Sequence, residues 1–159
     1  MGLAAVVLAV TAAATIGLAR RARDGRLRAS DAVESRHTSA LRALGVDLAA
    51  PVTLVSFATP VCAPCRAARR VCAEAADRVP GVATLEVDVD TNLDAVRALG
   101  VWRAPTLLVV DSNGNIALRA AGVPSLEDLL AAVQPLVVAR REARGASAAS
   151  PAVANEDQQ

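Results

Sequence analysis

The chain has 159 residues, which suits one folded domain with extensions at its ends. Its formal net charge of +1 offers no strong field for nucleic acid, and its aromatic side chains are limited to Phe57 and Trp102, too few for a base-stacking surface. Three cysteines, Cys62, Cys65 and Cys72, are too few for a disulfide-scaffolded secreted domain. We therefore expect no nucleic-acid partner, and the cysteines are the main candidates for chemistry.

The amino-terminal segment is apolar. Residues 3–19 carry no charge and, at about 1.5 Å per residue, would form a helix of about 26 Å that just crosses the hydrocarbon core of a bilayer. We predict a transmembrane anchor over residues 1–19, with the lipid bilayer as its partner. A cleaved signal peptide is the alternative, although no basic residue precedes the apolar stretch. A buried soluble helix is a third interpretation.

A run of arginines follows the apolar segment directly: Arg20, Arg21, Arg23, Arg26 and Arg28. Basic residues that flank a spanning helix stay on the cytoplasmic side of the membrane. The run therefore predicts a single-pass protein of the cell membrane with a cytoplasmic domain, and an extracytoplasmic domain is the alternative. We assign residues 20–37 to an Arg-rich linker, in which His37 is expected at the surface.

The remainder of the chain alternates between strand and helix patterns. From Thr38 the spacing of leucines predicts a helix that ends before Pro51, and the β-branched run Val52–Ala58 predicts a strand. The elements expected next are a helix over 62–79, a strand over 82–89, a helix over 92–99, a strand over 105–110, a turn at 111–114, a strand over 115–120 and a helix from 125. We expect Pro135 to kink or end the last helix, and the chain beyond Arg144 to be disordered.

This order of elements predicts an α/β fold. The sequence β-α-β-α-β-β-α, after a short first helix, gives a mixed central sheet covered by helices on both faces. The first two crossovers are expected to be right-handed parallel units, and the last two strands a hairpin with Asn113 and Gly114 in its turn. We assign the folded domain to residues 38–141 and a disordered tail to residues 142–159.

Two cysteines stand at the start of the predicted helix over 62–79, separated by Ala63 and Pro64. Thiols at positions i and i+3 lie next to each other on a helix, and the helix amino terminus carries about half a positive charge, which stabilises a thiolate at Cys62. The spacing predicts dithiol exchange. Cys62 attacks a substrate disulfide, and Cys65 then resolves the mixed disulfide and releases the reduced substrate.

Other chemistries of a cysteine pair fit less well. Zinc needs four ligands, and besides the pair only Cys72 and His37 remain, at a spacing that matches no common zinc pattern. Covalent haem attachment needs a histidine after the second cysteine, where this chain has Arg66. We expect no metal and no cofactor, and a purely structural cysteine pair remains the alternative. Cys72 lies roughly 10.5 Å along the helix from Cys65, too far for a disulfide, and is expected in the core.

Several segments together resemble thioredoxins over about residues 38–139: VTLVSFATPVCAPCR, then VDVDTNLDAVRALGVWRAPTLLVVDSNGN, then Gly122 before the last helix. The pattern is most similar to the membrane-anchored thioredoxin-like proteins of bacteria, the TlpA/ResA type. The resemblance implies a thioredoxin fold and a thiol–disulfide oxidoreductase that reduces protein disulfides, with a disulfide-bearing protein as substrate and an electron donor that the sequence does not identify. A disulfide oxidase or isomerase, or a non-catalytic adaptor with the same fold, are the alternatives.

The resemblance also implies a substrate-binding surface. Pro105 matches the family's cis-proline, which faces the dithiol, and the backbone before it, at Ala104, is expected to pair with substrate. Ala63 and Pro64, between the cysteines, belong to the same expected surface. Trp102 either lines this groove or packs in the interior.

Two departures from the family pattern bear on proton transfer. Thioredoxins usually carry a tryptophan before the first cysteine, where this chain has Val61, and a buried aspartate in the preceding strand, where it has Ser56. Serine cannot take the proton of Cys65 at neutral pH. Glu86 matches a position that faces this aspartate in the family, so we predict that Glu86 is a catalytic proton acceptor, buried beside the dithiol with a raised pKa. An exposed carboxylate at a strand end is the alternative.

Overall fold

The computed structural model describes residues 28–29 and 34–149, together with isolated helical positions at Thr11, Ala13 and Thr15. Apart from these three positions, the predicted anchor over residues 1–19 lies outside the described residues. So do most of the linker and the chain beyond Ala149. Among the residues that are described, no helix is both long and apolar enough to cross a membrane.

The elements between Arg28 and Ala149 follow the predicted order, with one strand added at the start. They are β1 (Arg28–Ala29), α1 (Glu34–Ala43), β2 (Val52–Ala58), α2 (Ala63–Arg78), β3 (Val82–Asp88), α3 (Leu93–Ala98), β4 (Thr106–Asp111), β5 (Ile116–Ala121) and α4 (Leu126–Ala149). The strands form one sheet in the order β1-β5-β4-β2-β3. Among these strands only the β2–β3 pair is parallel, so the prediction of a mixed sheet is confirmed. The expectation of a second parallel crossover, from β3 to β4, is wrong, because β4 pairs with β2 in the antiparallel direction.

Helices cover both faces of the sheet, and alternate residues of β2 mark the two faces. Val52 and Leu54 pack in one core with side chains of α2 and α4, whereas Val55 and Phe57 pack in a second core with side chains from α1 and from the end of α3. Every residue of β2 is buried because this strand lies inside the sheet with helices on both sides. By the same alternation, Ser56 lies on the face that α2 covers.

Two features at the start of the described domain differ from the sequence-based expectation. Helix α1 begins at Glu34, four residues before the predicted start, so His37 lies in a helix and is half-buried. The added turn consists of polar residues, so the spacing of apolar residues in the sequence does not reveal it. Strand β1 pairs with the edge of β5, with Arg28 opposite Arg119. Two residues are too few to form a strand pattern in the sequence.

Of the two expectations for Pro135, an end of the last helix is wrong, because α4 continues through it to Ala149, while a kink stays a prediction. The helix therefore extends five residues beyond Arg144, into the tail that was expected to be disordered. Proline removes one backbone hydrogen bond and crowds the preceding turn. Packing against the sheet holds the helix together across this defect, through residues on both sides of the proline that are at most 2% exposed: Leu129, Val133 and Val137.

Candidate active site

The cysteine pair lies at the amino terminus of α2, where Cys62 is the N-cap residue. The backbone N–H of Cys65 donates to Cys62 Sγ at 3.1 Å, which satisfies one of the N–H groups that have no partner within the helix. Pro64 stands in the first turn, where a missing N–H costs nothing. The N–H of Cys62 donates to the carbonyl of Thr59 at 3.4 Å, which closes the turn that leads into the helix.

The two cysteines are joined in a disulfide with their Cα atoms 5.2 Å apart, and they differ in accessibility. Cys62 is half-buried, whereas Cys65 is 1% exposed and lies on the side of α2 that faces the sheet. Ala63 and Pro64, between them, are exposed. A partner can therefore reach the sulfur of Cys62, while the sulfur of Cys65 reacts from within the protein.

The electrostatic surroundings favour a negative charge on Cys62 once the disulfide is reduced. The first turn of α2 contains no acidic residue, so the positive end of the helix dipole is not neutralised there. The exposed Arg66 follows one turn later, and its backbone N–H donates to the carbonyl of Cys62 at 3.3 Å. The helix dipole and the positive charge of Arg66 both favour the thiolate, which is the nucleophilic form of cysteine.

The peptide between Ala104 and Pro105 is cis, as the resemblance implied. Strand pairing places Thr106 opposite Phe57, so Pro105 lies beside the end of β2, from which the chain continues to Cys62. The carbonyl of Pro105 accepts a hydrogen bond from the N–H of Gly122 at 2.8 Å. The sheet therefore brings the loop before Pro105 next to the loop that carries the dithiol.

Trp102 is 94% exposed, which excludes the alternative that it packs in the interior. Its side chain lines an apolar cavity of about 330 Å³ together with Ala104 and with Thr59, a residue of the loop that leads to Cys62. Val61, which directly precedes Cys62, is 95% exposed. An exposed apolar side chain thus belongs to each of the two loops, the one that leads to Cys62 and the one that precedes Pro105.

Glu86 is exposed, so the expectation of a buried carboxylate is wrong. It lies in β3, opposite Ser56 in the register of the parallel pair, but its side chain is 39% exposed. Both carboxylate oxygens accept hydrogen bonds from Arg69, with Nη2 2.6 Å from Oε1. β3 is an edge strand of the sheet, so this position stays open to water. Arg69 was not singled out from the sequence, and its only signal is its place one turn after Cys65.

A second cavity, of about 340 Å³, lies between α2 and the sheet and is lined by Ser56, Arg69, Cys72 and Glu86, among others. The hydroxyl of Ser56 is buried and makes no hydrogen bond within the described residues. Cys72 is a free thiol that is 3% exposed, so its predicted place in the core is confirmed. Burial, and secondly the charge of Glu86, raise the pKa of Cys72 from 9.0 to about 11.

Across the part of the chain that the structure describes, no group of three or more His, Cys, Asp or Glu residues is placed to hold a metal ion.

Comparison with known proteins places these features in a family. The family model for thioredoxin matches residues 33–135. A mutant thioredoxin from Halobacterium salinarum NRC-1 is 25% identical, with a TM-score of 0.52 over 56% of this chain and 77% of that chain. Chloroplastic thioredoxin z is 22% identical, with a TM-score of 0.53 over 61% of this chain and 89% of that chain. No curated protein sequence matches the chain significantly.

The family match spans well over half of the chain and includes both halves of the candidate site, the cysteine pair and the cis-proline. The two solved structures agree with the observed arrangement of a mixed sheet between helices. A Cys-x-x-Cys disulfide at the amino terminus of a helix, in this fold, is consistent with thiol–disulfide redox chemistry. On this basis the chain belongs to the thioredoxin family.

Proposed function

We propose that this protein is a protein-disulfide reductase, and that Cys62 and Cys65 are its catalytic residues. The observation that carries the proposal is the contrast between a reachable Cys62 at the helix terminus and a buried Cys65 bonded to it. The thiolate of Cys62 attacks one sulfur of the substrate disulfide, and the other sulfur leaves as a thiolate. The sulfur of Cys65 then attacks Cys62, which releases the second substrate thiol and forms the Cys62–Cys65 disulfide. An external dithiol donor returns the electron pair.

We infer that the substrate binds across the exposed surface around the cysteine pair. The residues that would contact it are Ala63, Pro64, Trp102 and Ala104, while Pro105, which is buried, would contribute through the backbone that precedes it. Support comes from the exposure of Trp102, from the apolar cavity beside it, and from the register that sets Pro105 next to the end of β2. An extended polypeptide with an apolar residue near its disulfide fits this surface.

Glu86 remains our candidate for the group that accepts the proton of Cys65 during resolution. It lies in register with Ser56 on the face that α2 covers, and its ion pair with Arg69 holds the carboxylate one turn along α2 from Cys65. Because Glu86 is exposed, solvent competes with it for this role, and the effect of its removal is expected at the small end of the range for general bases.

We also propose that the protein belongs to the membrane-anchored thioredoxin-like type, held by residues 3–19, with its domain on the cytoplasmic side. The argument is the absence of charge from this segment and the arginine run that follows it. A tag at the carboxy terminus of the chain should be protected from an impermeant labelling reagent in intact cells and labelled after lysis. Labelling before lysis would place the domain outside.

Reduction of insulin by the full-length chain tests the proposed activity. With dithiothreitol as the electron donor, the protein should accelerate the precipitation of reduced insulin, and the Cys62→Ser variant should not. The reduction potential of the pair, measured against glutathione, decides the direction. We expect it nearer to about −270 mV, as in thioredoxin, than to about −120 mV, as in a strong oxidase. A folded wild-type protein that leaves insulin intact would instead point to the adaptor.

A further inference from the structure

Arg119 makes contacts that neither the cysteine pair nor the core explains. It lies in β5 opposite Leu108, on the face covered by α1 and α3. Its two terminal guanidinium nitrogens donate to the carbonyls of Leu99 at 2.6 Å and Gly100 at 3.0 Å. It forms no ion pair within residues 34–149. Its partial burial lowers the pKa of the guanidinium. Burying part of a cation without a carboxylate partner costs free energy, so the two carbonyl contacts of Arg119 point to a role beyond packing.

The two carbonyls lie where α3 ends and where the loop of residues 99–105, which leads to Pro105, begins. Gly100 has φ +60°, and the N–H groups of Gly100 and Val101 donate back to the carbonyls of Arg97 and Val96. This is a glycine-terminated helix end, at which the last carbonyls lack partners within the helix. Arg119 supplies donors to the carbonyls at this end and adds a positive charge where the helix dipole is negative.

The far end of the same loop is also tied to β5 and the residue after it. The N–H of Gly122 donates to the carbonyl of Pro105 at 2.8 Å, and Arg103 donates to the carbonyl of Ala121 at 3.4 Å. Between these ties, Val101 is buried, whereas Trp102 is almost fully exposed. The path of residues 99–105 is therefore set by packing at Val101 and by hydrogen bonds from the β5 side at both ends.

We propose that Arg119 is a positioning residue for substrate binding. By holding the carbonyls of Leu99 and Gly100, it fixes where residues 99–105 run and thereby sets Trp102 and the backbone of Ala104 relative to Cys62. This role rests on the proposed function, since it matters only if the loop receives a substrate. Arg119 touches neither the substrate nor the sulfur atoms, so its removal should alter binding and leave the intrinsic reactivity of Cys62 unchanged.

The first test reads the loop directly and does not depend on activity. Trp102 is the only tryptophan of the chain, so its fluorescence anisotropy decay reports the motion of this loop. In the full-length chain in a non-ionic detergent, Arg119→Gln should increase the amplitude of fast local motion about twofold, and Arg119→Lys, which keeps the positive charge on a single donor nitrogen, should lie between it and the wild type. Arg78→Gln is the matched control, because Arg78 pairs with Glu74 at the far end of α2. An anisotropy decay unchanged in folded Arg119→Gln would overturn the proposal.

The second test separates binding from chemistry. For Arg119→Gln we expect the KM for insulin to rise about fivefold, with partial rescue in Arg119→Lys. The rate of reduced protein with the small disulfide 5,5′-dithiobis(2-nitrobenzoate) should change by less than about twofold. Equal losses with both substrates would refute a positioning role. If Arg119→Gln does not fold, the same comparison is decided by Arg119→Lys. A wild-type protein that does not reduce insulin would overturn the proposed function. The Trp102 anisotropy measurement would still test whether Arg119 restrains residues 99–105.

Discussion

Alkaline pH should destabilise this protein through a single side chain, Cys72. The chain contains no lysine and no tyrosine, and arginine stays protonated below about pH 12. Cys62 and Cys65 do not titrate while they are joined in a disulfide. Between about pH 9 and pH 11, Cys72 is therefore the only side chain of the oxidised chain expected to change its charge. Any change in stability over this interval can be assigned to it.

The sign and size of the effect follow from the pKa of Cys72, which is 9.0 ordinarily and about 11 in the folded protein. The unfolded chain loses the proton first, so unfolding releases a proton in this interval and stability falls as pH rises. Below about pH 9 the stability is fully present. One unit of pKa is worth about 1.4 kcal/mol, so the loss should reach about 2 kcal/mol near pH 11 and about 3 kcal/mol above it. Because Cys72 is 3% exposed, water screens little of this effect.

Urea unfolding at a series of pH values between about 8 and 11 measures the loss. The thiolate of unfolded Cys72 would attack the Cys62–Cys65 disulfide, so the measurement belongs in a Cys62→Ala/Cys65→Ala chain, where Cys72 is the only thiol. In that background Cys72→Ala should give a free energy of unfolding that is flat over the interval. Glu86→Gln should reduce the loss, because the charge of Glu86 contributes to the raised pKa.

Two outcomes would refute this reasoning. An equal alkaline loss in the Cys72→Ala variant would assign the effect to another part of the protein. A parent chain whose stability stays constant to about pH 11 would mean that the folded protein accommodates the thiolate as well as water does, contrary to the burial of Cys72.

The dithiol mechanism makes further predictions. Cys62→Ser should abolish insulin reduction, and Cys65→Ser should trap mixed disulfides with substrate that are visible on a non-reducing gel; full activity in Cys62→Ser together with a loss in Cys72→Ser would contradict the assignment. Glu86→Gln should slow turnover near neutral pH by about 100-fold or less, with a loss that shrinks at high pH as Cys65 ionises unaided. Arg69→Gln keeps the carboxylate but removes its ion pair, so its loss of turnover should be smaller than that of Glu86→Gln. A pH profile that Glu86→Gln leaves unchanged in a folded protein would assign the proton to solvent.

Elements defined by burial were predictable from the sequence. The β-branched run of β2 forms a buried inner strand of the sheet, and the Cys-x-x-Cys spacing with Pro64 places the dithiol at the start of α2. In these segments the local pattern and the tertiary environment favour the same structure, since a strand of mostly apolar residues is stable only between two covering layers. The cis peptide at Pro105 followed from the resemblance and not from any spacing.

Contacts between distant polar side chains were not predictable. The exposure of Glu86 depends on β3 lying at the edge of the sheet and on the direction in which Arg69 leaves α2. The contact of Arg119 with Leu99 joins residues 20 positions apart, and the pairing of β1 with β5 joins residues still farther apart. The spacing of apolar residues does not encode such partners, because each pair forms only once the elements have packed together and contributes little to the pattern of burial.

The dithiol and the loop that faces it belong to different parts of the fold. Cys62 owes its accessibility and its electrostatic surroundings to α2, whereas residues 99–105 are held at both ends from the β5 side. The two parts meet through the pairing of β2 with β4, which sets Thr106 opposite Phe57. A substitution in the first turn of α2 should therefore change the reactivity of the thiolate toward every disulfide, whereas a substitution on the β5 side should change only the capture of a polypeptide. If the chain has the proposed reductase activity, we therefore expect its rates toward small disulfides and toward protein disulfides to respond to different substitutions.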